Sequence, residues 1–298
     1  MADNRNMKSV KGLRAAKKPV CKVKPMTLKQ FKVIAEFVEK ASGIQMPREK
    51  IALMESRLQN RLISLGFDNY DAYIKFAFSS NRGKQDELVH IMDAMTTNMT
   101  FFFREMEQFE ILSNQVLPEI LQQKRVIRIW SAGCSTGEEP YSIAMAMEEY
   151  MRKNNINFSY EIIATDISTH VLSVGAYAVY PMKEVADVSI KLKRNYLLRG
   201  RDAAGNEFVR IKPEVRRRVK FKYLNFMNKR YDIEKNFDII FCRNVIIYYS
   251  KQTRQEVLSR LCSHLLKGRY LFLSQSESIV GMDLPLEGQA AFSVYRRI

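Results

Sequence analysis

Histidine and cysteine are scarce in this 298-residue chain, with three and four copies respectively. Cys21, Cys134, Cys242 and Cys262 lie far apart and form no C-x-x-C pair, so neither a metal site nor a disulfide framework is expected. No apolar run approaches the roughly 20 residues that span a bilayer. The basic N-terminus, with Arg5, Lys8, Lys11 and Arg14, has no apolar segment behind it, so the expected location is the cytoplasm. Acidic residues number 32 against 48 basic ones, a formal charge of +16. That surplus points to an acidic partner, whether nucleic acid, anionic membrane surface or protein, and by itself does not choose among them. The glycines of the most distinctive loop, Gly133 and Gly137, are spaced G-x-x-x-G. This matches neither G-x-G-x-x-G nor G-x-x-x-x-G-K-[ST], which disfavours a pyrophosphate or triphosphate ligand.

What is present falls into four stretches. Residues 1–26 are polar and basic without periodicity and read as a disordered arm. Residues 27–96 read as an all-helical domain. Thr27-Leu-Lys-Gln30 has capping-box form, and Leu28, Phe31, Ile34, Ala35 and Val38 follow at helical spacing up to Gly43. A second helix runs from near Pro47 to Gly66 on the stripe Ile51, Met54, Leu58, Leu62 and Leu65, and two more are expected at about 69–79 and 84–96. Lys50, Arg57 and Arg61 gather along one border of the second helix's stripe. A solvated face is the plain reading, and a docking surface for an acidic partner is the other. Residues 97–125 read as a linker carrying a helix near 105–122.

From 126 to 298 strands and helices alternate: strand 126–132, helix 138–152, strand 160–166, helix 169–177, strands 219–224 and 237–243, helix 251–266, strand 269–275 and a last strand near 291–296. This predicts an α/β fold with a mostly parallel sheet covered on both faces. Residues 181–218 interrupt the alternation and read as a small inserted β-subdomain of hairpin type.

Chemistry-bearing groups collect at strand ends, where an open parallel sheet has its crevice. After the strand Val126–Trp130, the small residues Ala132, Gly133, Ser135 and Gly137 let the backbone approach a ligand, and Glu139 and Pro140 open a helix. Asp166 ends the second strand, where a carboxylate can accept from both ribose hydroxyls; the plainer reading is a helix cap. Asn225 and Phe226 follow the next strand, and Asn225 offers a donor and an acceptor to an adenine edge. A continuous apolar strand then ends in Arg243, Asn244 and Tyr248. Outside the sheet, Met95–Glu105 carries Asn98, Thr100, three phenylalanines and Arg104, whose fork suits a carboxylate.

Three of these stretches, Thr96–Glu105, Ser135-Thr-Gly-Glu-Glu-Pro-Tyr-Ser142 and Cys242-Arg-Asn-Val-Ile-Ile-Tyr248, occur in the order found in the CheR family of chemotaxis receptor methyltransferases, which the chain resembles from about residue 27 onward. The resemblance implies a Rossmann-like methyltransferase sheet, an N-terminal helical domain and an inserted β-subdomain. It implies S-adenosylmethionine as cofactor, S-adenosylhomocysteine as product, and receptor glutamates as methyl acceptors. Asn98, Thr100, Arg104, Ala132, Gly133, Glu139, Asp166, Asn225, Phe226, Arg243 and Asn244 are the expected cofactor contacts. Arg104 and Tyr248 are expected to serve methyl transfer, and Lys50, Arg57 and Arg61 to meet the receptor's acidic helical bundle, with Arg216, Arg217 and Arg218 as a second basic patch. Neither nucleic-acid binding nor membrane insertion is implied. Where relatives carry Gly-His-Ser-Glu this chain has Ser274-Gln-Ser-Glu277, a departure that removes no expected catalytic group. Two other readings stay open: a nucleic-acid methyltransferase, and a non-catalytic sensor of the cofactor.

Overall fold

A computed structural model describes residues 23–79, 85–289 and 292–298, so the expected basic arm lies, apart from its last four residues, outside the described residues. The capping box at Thr27 forms as written: its hydroxyl accepts from Gln30 N, and the Gln30 side chain accepts from Thr27 N. Helix α1 (Leu28–Ser42) ends at Gly43, whose φ of 75° suits a residue without Cβ. α2 (Ile51–Leu65) follows a short 3₁₀ turn and stops at Gly66, then come α3 (Tyr70–Ala77) and α4 (Gln85–Met95). No single one of these amphipathic helices can bury its own stripe. Phe31, Ile34, Val38, Met54, Leu58, Leu62, Tyr73 and Ile91 close over one another as one core.

The expected linker helix is broken in two. α5 (Met106–Ile111) and α6 (Leu117–Gln123) are joined by a π turn at Leu112–Val116. Pro118 has no N–H for the Asn114 carbonyl and its ring crowds that oxygen, and the wider turn relieves the clash.

The second domain runs β1 (Val126–Ala132), α7 (Glu138–Asn154), β2 (Ser159–Asp166) and α8 (Thr169–Tyr177). The insert follows: β3 (Val179–Pro181), α9 (Ile190–Tyr196), β4 (Leu197–Arg201), β5 (Glu207–Ile211) and α10 (Pro213–Arg216). The main sheet resumes with β6 (Val219–Tyr223), β7 (Phe237–Cys242), α11 (Lys251–His264), β8 (Leu265–Leu273), β9 (Leu286–Gln289) and β10 (Val294–Arg297). The strand order is β6-β2-β1-β7-β8-β10-β9, parallel up to β8 and antiparallel for the last two. The insert is a three-stranded antiparallel sheet rather than a hairpin, because Val179–Pro181 pairs with Phe208–Arg210. β9 has no sequence counterpart among the expected strands, for Leu-Glu-Gly-Gln lacks any apolar alternation.

From β1 the chain winds out to β2 and β6 on one side and to β7 and β8 on the other. The crevice therefore opens at the C-terminal ends of β1 and β7. β7 is buried throughout, including Asp238. Both Asp238 oxygens accept from Lys124 Nζ at 3.0 and 2.9 Å, and Arg128 N and Arg269 supply further partners, so the buried charge is matched. Among the described residues no helix is long and apolar enough to cross a membrane.

The helical domain is stitched to the sheet through the end of α1. Asn225 Nδ2 donates to Ala41 O at 2.6 Å and Gln45 N to Tyr248 O at 2.9 Å. A Cβ on Gly43 would lie 2.5 Å from Met227 Sδ and push that side chain aside, and the φ of 75° favours glycine here as well.

Candidate functional site

The docked domains form a cleft, open to solvent, above the ends of β1, β2, β6 and β7. Its glycine-containing wall is built first by the sheet. Gly133 N and Cys134 N both donate to Thr165 O at 2.8 and 2.9 Å, which bends the chain off β1 with Gly133 at φ 87°. A side chain at 133 would have its Cβ 2.3 Å from Val245 Cγ2, so the backbone here passes directly against the loop after β7. The turn is finished by Gly137 at φ 97°, and Tyr180 from the insert donates its hydroxyl to Thr136 O at 2.8 Å.

Asp166 holds this loop from the neighbouring strand. Its Oδ2 accepts from Ser135 N at 2.9 Å and its Oδ1 from Ser168 N at 3.0 Å. Burial pushes the carboxyl above its ordinary value, and these backbone donors pull it back. Each oxygen keeps a second lone pair, which is what a ribose diol needs. The helix-cap alternative is answered by Ser168, whose own hydroxyl accepts from Val171 N and caps α8.

At the other end of the cleft lies a cluster of charges. Arg243 is buried, 3.4 Å from Glu105 Oε2 and 3.6 Å from Glu139 Oε2, with its guanidinium 5.8 Å from the Phe109 ring and donating to Arg104 O. Burial raises the Glu139 carboxyl, while Arg243 and the Ser131 hydroxyl, 2.7 Å away, lower it. Two buried polar atoms of the cluster, Arg243 Nε and Glu105 Oε2, have no hydrogen-bond partner of their own. Arg104 also faces the cleft, donating to Met99 O at 3.2 Å with its guanidinium 5.4 Å from the Phe101 ring. Carboxylates and guanidiniums side by side suit the ammonium and carboxylate of an amino-acid moiety. Leu224, Phe226 and Ile167 supply apolar surface near Asp166 for a base. These groups fit the three parts of S-adenosylmethionine.

Of the residues expected from sequence, Asn98, Thr100, Arg104, Gly133, Glu139, Asp166, Phe226, Arg243, Asn244 and Tyr248 all line this one cleft. Two placements need correction. Ala132 does not line it; as the last residue of β1 it packs in the core with Ile163 and Ile240. Asn225 turns away, because its amide is committed to Ala41 O and to Met227 N, and its neighbour Leu224 faces the cleft instead. A strand exit alternates faces, and the sequence does not say which face wins.

The basic stripe on α2 also makes bonds within the protein. Arg57 donates to Ala94 O, Met95 O and Thr96 O at 3.2, 3.1 and 3.0 Å, closing the C-terminus of α4. Arg61 pairs with buried Glu87 at 2.6 Å, and Glu87 also accepts from Tyr73 Oη. Lys50 sits beside the cleft, its Nζ bonded to Gln45 O and 5.9 Å from the Tyr248 ring, and Arg57 touches the lining through Thr96 and Thr97. In the second basic patch, Arg218 stacks on Tyr160 at 4.8 Å and lies 3.6 Å from Glu148.

Sequence reasoning missed three contributors. Ser42 and Ile44 line the cleft from the helical domain, and nothing local marks them, since only domain docking brings them there. Glu277, 3% exposed, accepts from Asn244 N at 3.0 Å, Val245 N and Ile246 N at 2.9 Å, and Ser274 N at 2.9 Å. It thereby shapes the loop that carries Arg243, Asn244 and Tyr248, with Asn244 held at φ 60° and its Nδ2 on Ser274 Oγ. Its persistence in Ser274-Gln-Ser-Glu277 was the available signal.

Comparison with known proteins matches residues 98–290 to the CheR methyltransferase SAM-binding domain and residues 29–96 to the CheR methyltransferase all-alpha domain. A chemotaxis protein methyltransferase of Borreliella burgdorferi is 40% identical over 80% of this chain and 84% of its own length. The Cher2 chemotaxis protein methyltransferase of Pseudomonas putida is 37% identical over 86% of this chain and 92% of its own. One from Salmonella typhimurium is 30% identical over 89% of each. With both domain families matched in order across a cleft whose groups fit the cofactor, the chain belongs to the CheR family and is an S-adenosylmethionine-dependent methyltransferase.

Proposed function

We propose that the protein esterifies glutamate side chains on the cytoplasmic helical bundle of chemotaxis receptors, a reaction that serves sensory adaptation. The observation that carries this reading is a cleft lined by carboxylate-pairing cations and Tyr248, with no histidine or cysteine among its lining residues. A glutamate with an ordinary pKa of about 4.3 is already ionised at neutral pH, so its oxygen needs no general base. S-adenosylmethionine supplies the electrophilic methyl, carried on a sulfonium.

The protein's own part is positioning. Asp166 binds ribose hydroxyls, and Leu224, Phe226 and Ile167 cover the base. Glu139 and Arg104 hold the ammonium and carboxylate of the methionine moiety. Arg243, with Glu105 and Glu139 beside it, fixes the floor of the site. Tyr248 orients the entering carboxylate, and Lys50 beside its ring draws acidic surfaces toward the mouth. Arg57 serves indirectly, by holding the start of the segment that carries Asn98 and Thr100. The chain is taken to work in the cytoplasm, where such receptor bundles lie.

The two rival readings lose ground on particular residues. Amino-methylating nucleic-acid enzymes carry an Asn/Asp-Pro-Pro-aromatic run after the fourth strand, and Cys242-Arg-Asn244 stands there instead. A mere sensor has no need of Tyr248 at the cleft. The test is incubation with methyl-labelled cofactor, receptor-bearing membranes and RNA, followed by alkali. Volatile methanol released from the membrane protein is the expected result. Alkali-stable label on RNA would overturn the reading, and cofactor binding without any transfer would leave the sensor.

A further inference from the structure

We infer that Ser274 is a positioning residue that fixes which end of the Asn244 amide faces the cleft, so that Asn244 presents an acceptor to an N–H group of the cofactor. The inference concerns cofactor recognition alone and holds whichever group receives the methyl.

Ser274 follows β8, is 1% exposed and does not line the cleft. Around its Oγ lie Asn244 Nδ2 at 2.8 Å, Ser276 Oγ at 2.9 Å, Glu105 Oε1 at 3.0 Å and Ser276 N at 3.2 Å. A hydroxyl has one proton to give and two lone pairs to fill. The Glu105 carboxylate, 3.4 Å from Arg243 Nη2, only accepts, so the Ser274 proton goes to it. Ser276 N is a fixed donor, and Ser276 Oγ brings a proton of its own. The Ser274 oxygen therefore turns lone pairs toward Asn244. An Asn244 carbonyl at that distance would set acceptor against acceptor with no proton between them, whereas Nδ2 completes a hydrogen bond.

The rest of Asn244 is already pinned. Its N donates to Glu277 Oε2 at 3.0 Å and its φ is 60°, so turning the amide end over end is the freedom that remains. The two ends of an amide have nearly the same shape, and only their hydrogen-bond partners tell them apart. With Nδ2 committed to Ser274, Oδ1 has no hydrogen-bond partner among the described residues, and Asn244 lines the cleft. Glu105, Ser274 and Asn244 thus form a relay that begins at a carboxylate outside the lining and ends at an acceptor inside it.

S-adenosylmethionine carries two kinds of N–H that such an acceptor can take, the methionine ammonium and the adenine amino group. An amide NH₂ in the same place would satisfy neither. The relay therefore selects for an N–H on the ligand by leaving the acceptor unpaired against any analogue that lacks it.

The test is calorimetric titration of three ligands: S-adenosylhomocysteine, S-inosylhomocysteine, in which oxygen replaces the adenine amino group, and deaminated S-adenosylhomocysteine, which lacks the ammonium. The proteins are the wild type, Ser274→Ala and Glu105→Gln. Alanine leaves the Asn244 amide free to turn. In Glu105→Gln the new carbonyl is drawn to Arg243 and the new NH₂ faces Ser274, whose proton then turns to Asn244 and reverses the relay. The preference of the wild type for S-adenosylhomocysteine over one of the analogues is expected to shrink about fivefold to tenfold in both variants, roughly the worth of one hydrogen bond. The analogue affected identifies which N–H is read. Because a ratio between ligands is measured, a uniform loss of affinity for all three ligands means that Ser274 merely supports the loop, and overturns the inference. Unchanged preference against both analogues in either variant that folds, judged by urea unfolding, overturns it as well.

Discussion

Replacing Glu277 by glutamine tests how the loop after β7 is held. Oε1 accepts from Val245 N and Ile246 N, and Oε2 from Asn244 N and Ser274 N. Glutamine offers one oxygen and one NH₂, so whichever way its amide faces, two backbone N–H groups lose their acceptor and meet a donor. At 3% exposure water has little access to replace it. A hydrogen bond to a charged group contributes ~1.5–3 kcal/mol, so losing two costs ~3–6 kcal/mol before relaxation. The loop relaxes by releasing Asn244 from its left-handed conformation, which displaces Arg243, Asn244 and Tyr248 together. Glu277→Gln is therefore expected to weaken S-adenosylhomocysteine binding by at least about tenfold, which is ~1.4 kcal/mol of the total. The denaturant midpoint is expected to fall as well. Calorimetric titration and urea unfolding of the same preparations give the two numbers. Wild-type cofactor affinity together with a stability loss under ~1 kcal/mol would refute the reasoning, because that is no more than one ordinary hydrogen bond.

Three further outcomes are expected. Gly133→Ala places a Cβ 2.3 Å from Val245 Cγ2 at φ 87°, so it costs ~2–4 kcal/mol of strain and clash and abolishes measurable cofactor binding in a titration; Gly205→Ala, at φ 85° with nothing within 4 Å, shares the backbone strain without the clash and leaves cofactor binding unchanged. Burial would raise the Glu149 carboxyl, but hydrogen bonds from Arg152, Lys191, Tyr196 and Asn195 outweigh it and hold the carboxyl at about 2. A depressed carboxyl contributes stability above its unfolded value that disappears as pH falls. Glu149→Gln should therefore cost ~1–2 kcal/mol at pH 7, a figure reduced for its exposed partners, and the gap from wild type should close between about pH 4.5 and 2 in thermal unfolding. Tyr248→Phe should reduce methyl transfer by much more than S-adenosylhomocysteine affinity, whereas Arg104→Ala, which removes the partner of the methionine carboxylate, should lower both; equal losses in Tyr248→Phe would remove the role assigned to Tyr248.

Much of the architecture was legible because it is written in local periodicity. Thr27-Leu-Lys-Gln30, Gly43 and Gly66 bound helices whose stripes repeat every three or four residues, and short-range sterics and capping suffice to read them. The strand-end positions of Gly133, Asp166 and Arg243-Asn244 were legible for a related reason: in a parallel sheet the polar residue that follows an apolar run is delivered to the crevice edge. The π turn before Pro118 and the short strand Leu286–Gln289 were not, since one depends on packing around a missing N–H and the other on a neighbour's free edge.

By itself, then, the sequence determined the element types, their order, and the set of groups able to meet a sulfonium nucleoside. The tertiary structure decided where those groups go. It sent the Asn225 amide to Ala41 and put Leu224 in the cleft, because the end of α1 needed a donor where the domains meet. It tied Arg57 to the carbonyls ending α4 and the half-buried Arg61 to buried Glu87, and left Lys50 beside Tyr248. It gave Glu277 four amides gathered from two separate loops. Each of these choices depends on which unsatisfied polar group lies nearest once the chain has folded, and partners such as Arg61 and Glu87, 26 residues apart, or Asn225 and Ala41, 184 apart, leave no local pattern to read.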